Sequence, residues 1–383
     1  MRRLFLLILA VLAFTAAASA QIGKRVSIRA GTPEDRAVNE IIRATDPAEK
    51  LALLEKFLAE YGQGEMALVA YDIYIDHYLA AQDYAKVYEY GEKALALDTE
   101  AYSVAMRMFR AAQQQGDAAR MFDSGTRLGD ILHRFQARPT PEGMEEAVWQ
   151  SVKSSTIEEN RESASYVEYA LFGAAYQNPD PAAKTAQLER FVAAFPDSQY
   201  APNAQSVVAY TYQQTQQFDK MQAFIEKVLV AQPSNFTMLL LAANSWNERR
   251  VELDKAAAYA ARALQALETA EKPAAVTDEQ WAQQKPIQQG LAHSVIGQIH
   301  IQKNRNAPAV DALNAAAPLL KSDPLAYSRN QYWLGFALIN LKRMAEARVA
   351  FTEAAAADTP FRGPAQEKLK TLPTPPPAKR RRP

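Results

Sequence analysis

The residue types that most often carry catalysis are sparse in this chain. Its 383 residues include no cysteine and only four histidines, with 43 basic and 43 acidic residues. Without cysteine, a thiol nucleophile, a zinc–thiolate centre, an iron–sulfur cluster and a disulfide are excluded. His293 and His300 share a helix face, but neither belongs to an H-E-x-x-H metal motif. We therefore predict structural or surface roles for all four histidines, including His77 and His133, and no metal site.

Motifs that mark common active sites are also absent. The sequence holds no G-x-S-x-G, no G-x-x-x-x-G-K-[ST] and no G-x-G-x-x-G. Paired carboxylates occur at Glu145-Glu146 and Glu158-Glu159, but adjacent residues of a helix point apart and such pairs are usually solvated. We predict no catalytic residue, no enzymatic activity and no cofactor. The neutral net charge argues against a nucleic-acid partner.

The composition favours helices over strands. Hydrophobic residues make up 48% of the chain and only 14 residues are glycine, and no alternating stretch of β-branched residues predicts a strand. The stretch 330–359 predicts two packed helices joined by a turn. Gly335 follows Leu334 in the first helix and lets the second helix approach closely, while the second helix places small and large apolar residues on one face at Ala347, Phe351 and Ala354.

This stretch resembles a tetratricopeptide repeat, a helix–turn–helix unit of about 34 residues. Gln331 and Thr359 stand where the family usually has Trp and Pro. Similar units recur upstream, including one in which Gly297 and Ala309 match the pattern, and we count roughly seven or eight units. One such hairpin cannot bury both of its faces, so neighbours must stack. The resemblance implies an all-α fold, a right-handed α-solenoid of stacked helix–turn–helix hairpins.

The chain begins with the three parts of a secretory signal peptide. Arg2 and Arg3 are basic, Leu4–Phe14 is apolar, and Ala18-Ser19-Ala20 forms a cleavage site. We expect cleavage after Ala20, export to the periplasm and no transmembrane segment afterwards. A retained membrane anchor is the alternative, although the apolar run is shorter than the roughly 20 residues that a spanning helix needs.

Composition shifts divide the rest of the chain. The predicted segments are a signal peptide at 1–20, a flexible lead at 21–31, N-terminal hairpins at 32–137, an irregular connection or spacer helix at 138–161, central hairpins at 162–272, a break at 273–286, C-terminal hairpins at 287–366, and a disordered proline-rich basic tail at 367–383.

In the tetratricopeptide family the first helix of each unit lines a concave groove. By position in the repeat, the groove residues here would be Tyr166, Tyr169, Tyr176, Tyr210, Gln213, Tyr332, Phe336 and Asn340. Tyrosine suits a peptide groove because it combines a rigid apolar ring with a polar tip. The alternative is that these aromatic residues pack between helices. The Lys and Asn clamp of some family members is missing, with Asp72 and Asp76 at its positions, so capture of a C-terminal carboxylate is not expected.

The resemblance implies a non-catalytic scaffold or adaptor that binds a partner peptide or helix. The segment 191–205 resembles the joins of bacterial envelope members of the family, which predicts a cell-envelope role. Two alternatives stay open: a subunit of an outer-membrane assembly or cell-division machine, and an accessory frame of a carbohydrate-processing enzyme. The four basic residues Lys379–Arg382 would make weak contact with anionic lipid or an acidic partner, or would simply aid solubility.

Overall fold

The computed structural model describes residues 22–273 and 276–373. The described residues contain seventeen α-helices and no β-strand, which confirms the predicted all-α fold. In chain order the helices are α1 (Pro33–Arg43), α2 (Pro47–Tyr61), α3 (Ala67–Ala80), α4 (Tyr84–Leu97), α5 (Tyr102–Gln115), α6 (Ala118–Ala137), α7 (Glu146–Gln177), α8 (Pro181–Ala194), α9 (Ala201–Gln214), α10 (Phe218–Ala231), α11 (Phe236–Arg249), α12 (Leu253–Thr269), α13 (Asp278–Gln302), α14 (Asn306–Leu320), α15 (Pro324–Asn340), α16 (Met344–Ala356) and α17 (Arg362–Thr371). A short 3₁₀ helix, Gly64–Met66, precedes α3.

Residues 1–21 and 374–383 lie outside the described residues, so the predicted signal peptide and most of the predicted tail stay predictions. None of the described helices combines the length and apolar composition needed to cross a membrane.

Helix starts follow local chemistry that the sequence displays. Thr32 accepts a hydrogen bond from the N–H of Asp35 at 3.3 Å, and Asp46 accepts one from Glu49 at 2.8 Å. A proline occupies the first turn in both helices, where it costs no hydrogen bond. The predicted starts of α1 and α2 are therefore confirmed.

Short turns connect the helices into hairpins, and the same turn geometry recurs. One residue of each of six turns adopts a left-handed backbone with φ between 57° and 73°. These residues are Gln82, Gly116, Gln216, Arg250, Asn304 and Lys342. The recurrence shows that the hairpins are copies of one local structure, although only one of the six turns has the glycine that this geometry favours.

Contacts between helices divide the chain into two units, Met1–Thr211 and Tyr212–Pro383, with the division inside α9. In the first unit the helices α1 to α8 pack on one another in chain order, and α3 also contacts α5, as α6 contacts α8. Side chains of adjacent hairpins contact residues that lie 35 positions away in the sequence. Arg127 binds Glu92 and Arg134 binds the carbonyl of Thr99 at this separation, as stacked repeats of that length require.

In the second unit α10 to α17 also pack in chain order, and α13 contacts both α11 and α15. Ala309, Leu334, Ala347, Phe351 and Ala354, which carry the repeat pattern, are buried together in one core cluster. A side chain at Gly335 would place its Cβ 2.6 Å from the Phe351 ring, and one at Gly297 would meet Leu313 at 2.5 Å. Glycine is therefore needed where α15 meets α16 and where α13 meets α14.

The helix α7 does not follow the segment boundaries predicted from the sequence. It runs without interruption from Glu146 to Gln177 and crosses the predicted boundary between 161 and 162. The stretch holds no proline and a single glycine, Gly173, so no residue in it stops a helix. Buried Trp149 fixes the first part, since its indole N–H donates to the carbonyl of Arg138 at 3.2 Å and its ring lies edge-on against Phe135.

Two further predicted boundaries fall inside helices. Pro286, the end of the predicted break, lies within α13, which starts at a capping box of Thr277 and Gln280. The predicted tail begins at 367, whereas α17 continues to Thr371 because Leu369 and Leu372 pack on the core cluster of the second unit.

The segment 22–32 contains no helix but contacts the first unit. The backbone N–H of Lys24 donates to Asp98 at 2.6 Å, and its ammonium group pairs with Glu65 at 2.7 Å.

Candidate functional site

Three of the tyrosines predicted for a groove lie exposed along α7. Tyr166, Tyr169 and Tyr176 are 48%, 62% and 48% exposed, respectively. Their spacing of three and seven residues keeps them on one side of the helix. We call these three residues the tyrosine face.

The helices around α7 hold these rings in place. The Tyr166 hydroxyl donates to the side-chain carbonyl of Gln113 on α5 at 2.9 Å, and its ring lies edge-on to Phe109. The Tyr169 ring is 6.4 Å from that of Tyr200. Ordered, half-exposed tyrosines lose little side-chain entropy on binding, which is the property that favours them at interfaces.

Phe172 connects the tyrosine face to the core. Its ring stacks on Tyr200 at 4.9 Å and on Tyr176 at 5.6 Å, and it contacts buried Phe191 of α8 at 5.9 Å. The ammonium group of Lys184 lies 5.6 Å from the centre of the Tyr176 ring. The tyrosine face is therefore the outer surface of an aromatic cluster and not a set of loose side chains.

The remaining predicted groove residues are separated by the division between the two units. Tyr210 is 61% exposed and belongs to the first unit, whereas Gln213 belongs to the second. Both lie on α9.

On α15 the two predicted aromatic groove residues, Tyr332 and Phe336, are partly buried against later parts of the chain, whereas Asn340 is exposed. The Tyr332 ring contacts Phe351 of α16 and Phe361, at 5.8 and 5.5 Å. The Phe336 ring lies 4.8 Å from the ammonium group of Lys368 on α17. Asn340 donates to the side chain of Asn306 at 2.9 Å. Here the aromatic residues pack between helices, the alternative that the sequence left open.

Asp72 and Asp76 share one basic partner. Arg107 of α5 forms an ion pair with Asp72 and another with Asp76, the latter at 2.7 Å. Burial alone lowers the pKa of the Arg107 guanidinium, but hydrogen bonds and charge from the two aspartates outweigh it and raise the pKa overall. The two acids at the positions of the family's carboxylate clamp therefore tie α3 to α5.

A polar cleft of about 790 Å³ lies on the first unit, along α4, α6 and the end of α8. Sequence reasoning missed it, although the seven-residue spacing of three arginines on α6 was a visible signal. Four arginines line it: Arg120, Arg127, Arg134 and Arg190.

Each arginine of the cleft already has a partner in the protein. Arg127 pairs with Glu92 at 3.1 Å, and Arg190 pairs with Asp123 at 2.7 Å. Arg134 donates to a backbone carbonyl, and Arg120 lies over the Tyr88 ring at 4.0 Å. The arrangement joins neighbouring helices of the first unit, and we assign it a structural role.

His293 and His300 lie seven residues apart on one side of α13 and are partly buried. Burial lowers the pKa of His293; burial, followed by the positive charges of Arg305 and Lys303, lowers the pKa of His300. No group of three or more metal-ligating side chains comes together within the described residues.

The sequence matches no protein-family model and no curated protein. Three similar solved structures each have a low TM-score. Yeast Tom70 is 12% identical, with a TM-score of 0.34 and coverage of 88% of this chain and 94% of that one. A human IFIT1 dimer with m7Gppp-AAAA is 15% identical, with a TM-score of 0.33 and coverage of 89% and 72%. The TPR domain of P58(IPK) is 11% identical, with a TM-score of 0.26 and coverage of 88% and 96%. The fold assignment therefore rests on the helical hairpins themselves.

Proposed function

We propose that this protein is a non-catalytic scaffold that binds a protein partner through the tyrosine face of α7. The observation that carries the proposal is the exposure of three ordered tyrosines on one side of a single helix. A soluble protein rarely exposes large apolar rings together unless they serve an interaction. Tyrosine is also among the residues that contribute most to binding energy at protein interfaces.

The partner is a peptide or helix rather than a small molecule. The tyrosine face is an open strip along a helix, whereas small-molecule sites are concave and enclose most of the ligand. Its rings offer apolar contact area, and their hydroxyl groups offer hydrogen bonds to a peptide backbone.

The setting that we propose is the bacterial cell envelope. The support is the N-terminal sequence, with its basic start, apolar run and Ala18-Ser19-Ala20 cleavage site. The proposal of a non-catalytic role rests on the sequence as well, because it contains no cysteine nucleophile and none of the catalytic motifs sought above.

The test is a crosslinking pull-down of the chain from its own envelope fraction, read by mass spectrometry. We expect one dominant protein partner whose recovery falls about tenfold or more in Tyr169→Ala. Tyr210→Ala, which alters the other exposed tyrosine of the first unit, shows whether the partner extends along α9. Circular dichroism should show unchanged helicity, since both rings are more than half exposed.

Ile42→Ala is the matched control, because Ile42 is 63% exposed on α1 of the same unit and lies outside the tyrosine face. Equal recovery by Tyr169→Ala and the wild type would remove the tyrosine face from the proposal. Recovery of glycan or lipid without protein would favour the carbohydrate-processing alternative or a role of the basic tail.

A further inference from the structure

One side of α7 carries carboxylates and then tyrosines in a single row. Glu158, Glu162, Tyr169 and Tyr176 follow one another at four, seven and seven residues and therefore share a helix face. Tyr166 lies beside this row. All five side chains are exposed. At 1.5 Å per residue the row is about 27 Å long, of which Tyr166 to Tyr176 accounts for about 15 Å.

The acidic end of the row has a net negative charge. Between 158 and 162 the helix carries Glu158, Glu159 and Glu162 and one basic residue, Arg161. Arg161 pairs with Glu158 at 3.0 Å. Two negative charges are left uncompensated within this short stretch, next to the tyrosines. A complementary peptide would have an apolar, extended part followed by a cationic part.

The chain itself contains such a segment, at 373–383. It reads PTPPPAKRRRP, with prolines first and four basic residues after them. Proline restricts φ to about −65°, which favours the polyproline II conformation with a rise of about 3.1 Å per residue. The four steps from residue 373 to residue 377 would span about 12 Å in that conformation, close to the roughly 15 Å of the tyrosine face. Aromatic surfaces bind proline-rich segments because these are extended before they bind.

The segment starts from a fixed point in the second unit. Arg348 of α16 donates to the carbonyls of Leu372 and Pro373, at 2.8 and 2.9 Å. Pro373, the last described residue, is therefore held against α16.

We propose that the acidic and tyrosine row of α7 in one copy binds residues 373–383 of a second copy. The prolines lie on the tyrosine face, and the basic residues lie against Glu158 and Glu162. The peptide then runs opposite to α7, with its basic end towards the start of the helix. This inference rests on the proposed function, because it names the partner of the same face.

The first experiment measures binding of a labelled synthetic peptide of residues 371–383 by fluorescence anisotropy. The protein is the chain from Gln21 that lacks residues 374–383, so that its own segment does not compete. We expect saturable binding that weakens about tenfold or more in the Tyr169→Ala/Tyr176→Ala double variant. Glu158→Gln/Glu162→Gln should weaken binding by a few-fold and reduce its dependence on salt. Ile42→Ala, an exposed apolar residue of the same unit, should bind as the parent does.

The second experiment tests whether two copies associate, by analytical ultracentrifugation. The Tyr169→Ala/Tyr176→Ala chain with its segment intact, and the shortened chain with its tyrosine face intact, should each stay monomeric. Mixed together, they should form a dimer, because one supplies the segment and the other supplies the face. If the mixture does not associate, or if the shortened chain associates alone as the wild type does, the proposal is wrong.

The outcomes separate this inference from the proposed function. If the peptide does not bind but Tyr169→Ala still loses its partner in the pull-down, only the identity of the partner is wrong. If the peptide does not bind and the pull-down is also unaffected by Tyr169→Ala, the tyrosine face has no binding role.

Discussion

Gly335 lies where α15 packs on α16, and the Phe351 ring occupies the space that a Cβ would need. A Cβ at this position would lie 2.6 to 2.8 Å from three atoms of that ring. Phe351 is fully buried and cannot turn away without disturbing the core cluster around it. The steric requirement at this position outweighs the better helix propensity of alanine.

We predict that Gly335→Ala destabilises the protein by about 1–3 kcal/mol, the usual cost of overpacking a core. Gly363→Ala is the matched control, because Gly363 is also in a helix of the second unit and no atom lies within 4 Å of a Cβ there. The control should be neutral or stabilising by up to about 1 kcal/mol. Urea unfolding followed by circular dichroism measures the stability of both variants. Equal unfolding midpoints would show that the close approach of Phe351 to Gly335 does not make glycine necessary there.

His293 and His300 make stability depend on pH in a defined direction. The folded state lowers the pKa of both imidazoles, chiefly by burial. In the unfolded chain the pKa of each imidazole is about 6.5. Below that pH the unfolded state binds more protons than the folded state. Stability is therefore complete above about pH 6.5 and falls as the pH falls below it.

We expect the urea midpoint to be lower at about pH 5.5 than at about pH 7.5, and the difference to shrink in His293→Gln/His300→Gln. Carboxylates titrate mainly below this window and contribute alike to both proteins. Circular dichroism at about pH 7.5 confirms that the double variant is folded. The histidine explanation would be contradicted if wild type and variant lost the same stability between the two pH values.

Among the elements, the hairpin turns carry a recurring backbone strain. Lys342 connects α15 to α16 with φ of 61°, a left-handed conformation that is unfavourable for a residue with a Cβ. Its side chain is exposed, so the turn does not depend on the lysine itself. Glycine adopts this conformation without a steric penalty.

We predict that Lys342→Gly stabilises the protein by up to about 1 kcal/mol. Lys321→Gly is the control, because Lys321 is exposed in the same unit but has right-handed helical angles, with φ of −56°. That control should lose about 0.5–1 kcal/mol from the added freedom of the unfolded chain. Differential scanning calorimetry of the two variants measures the contrast, and destabilisation by both would argue against strain at the turn.

The length of α7 is a second property that belongs to the element. If Glu146–Gln177 is one helix, a proline in its middle must remove a backbone hydrogen bond and clash with the preceding turn. Ser155 is exposed there, so its side chain contributes little packing. Ser155→Pro should cost about 3 kcal/mol or more, and Ser155→Ala should change stability by no more than about 0.5 kcal/mol. Urea unfolding and far-ultraviolet circular dichroism measure both; an unaffected Ser155→Pro variant would favour the irregular connection predicted from sequence.

For the whole molecule, we predict export with cleavage after Ala20. When the chain is produced in a bacterium with two membranes, N-terminal mass spectrometry of the periplasmic fraction should find a protein that begins at Gln21. Leu7→Arg, which interrupts the apolar run, should keep the chain unprocessed in the cytoplasm. A membrane-bound chain that still begins at Met1 would favour the retained anchor.

The sequence by itself determined the class of fold and the pairing of most helices. Two kinds of local contact made this possible. The helix starts depend on contacts within one or two turns of helix, as at Thr32-Pro33 and Asp46-Pro47. The repeat pattern depends on contacts within one hairpin, as among Leu334, Gly335 and Phe351. Such local contacts produce a periodic pattern of residue types that can be recognised in the sequence. The prediction from local pattern was wrong at α7. The weak match to a repeat suggested an irregular connection, but no residue between 146 and 177 stops a helix, and the segment forms one helix.

Only the tertiary structure decided which aromatic residues are available for binding. Tyr169 and Tyr332 occupy comparable positions in the repeat pattern, yet Tyr169 is exposed whereas Tyr332 is packed against Phe351 and Phe361. The difference depends on which later segment folds back over each ring. Exposure is a property of all neighbours together, and no spacing within one helix encodes it.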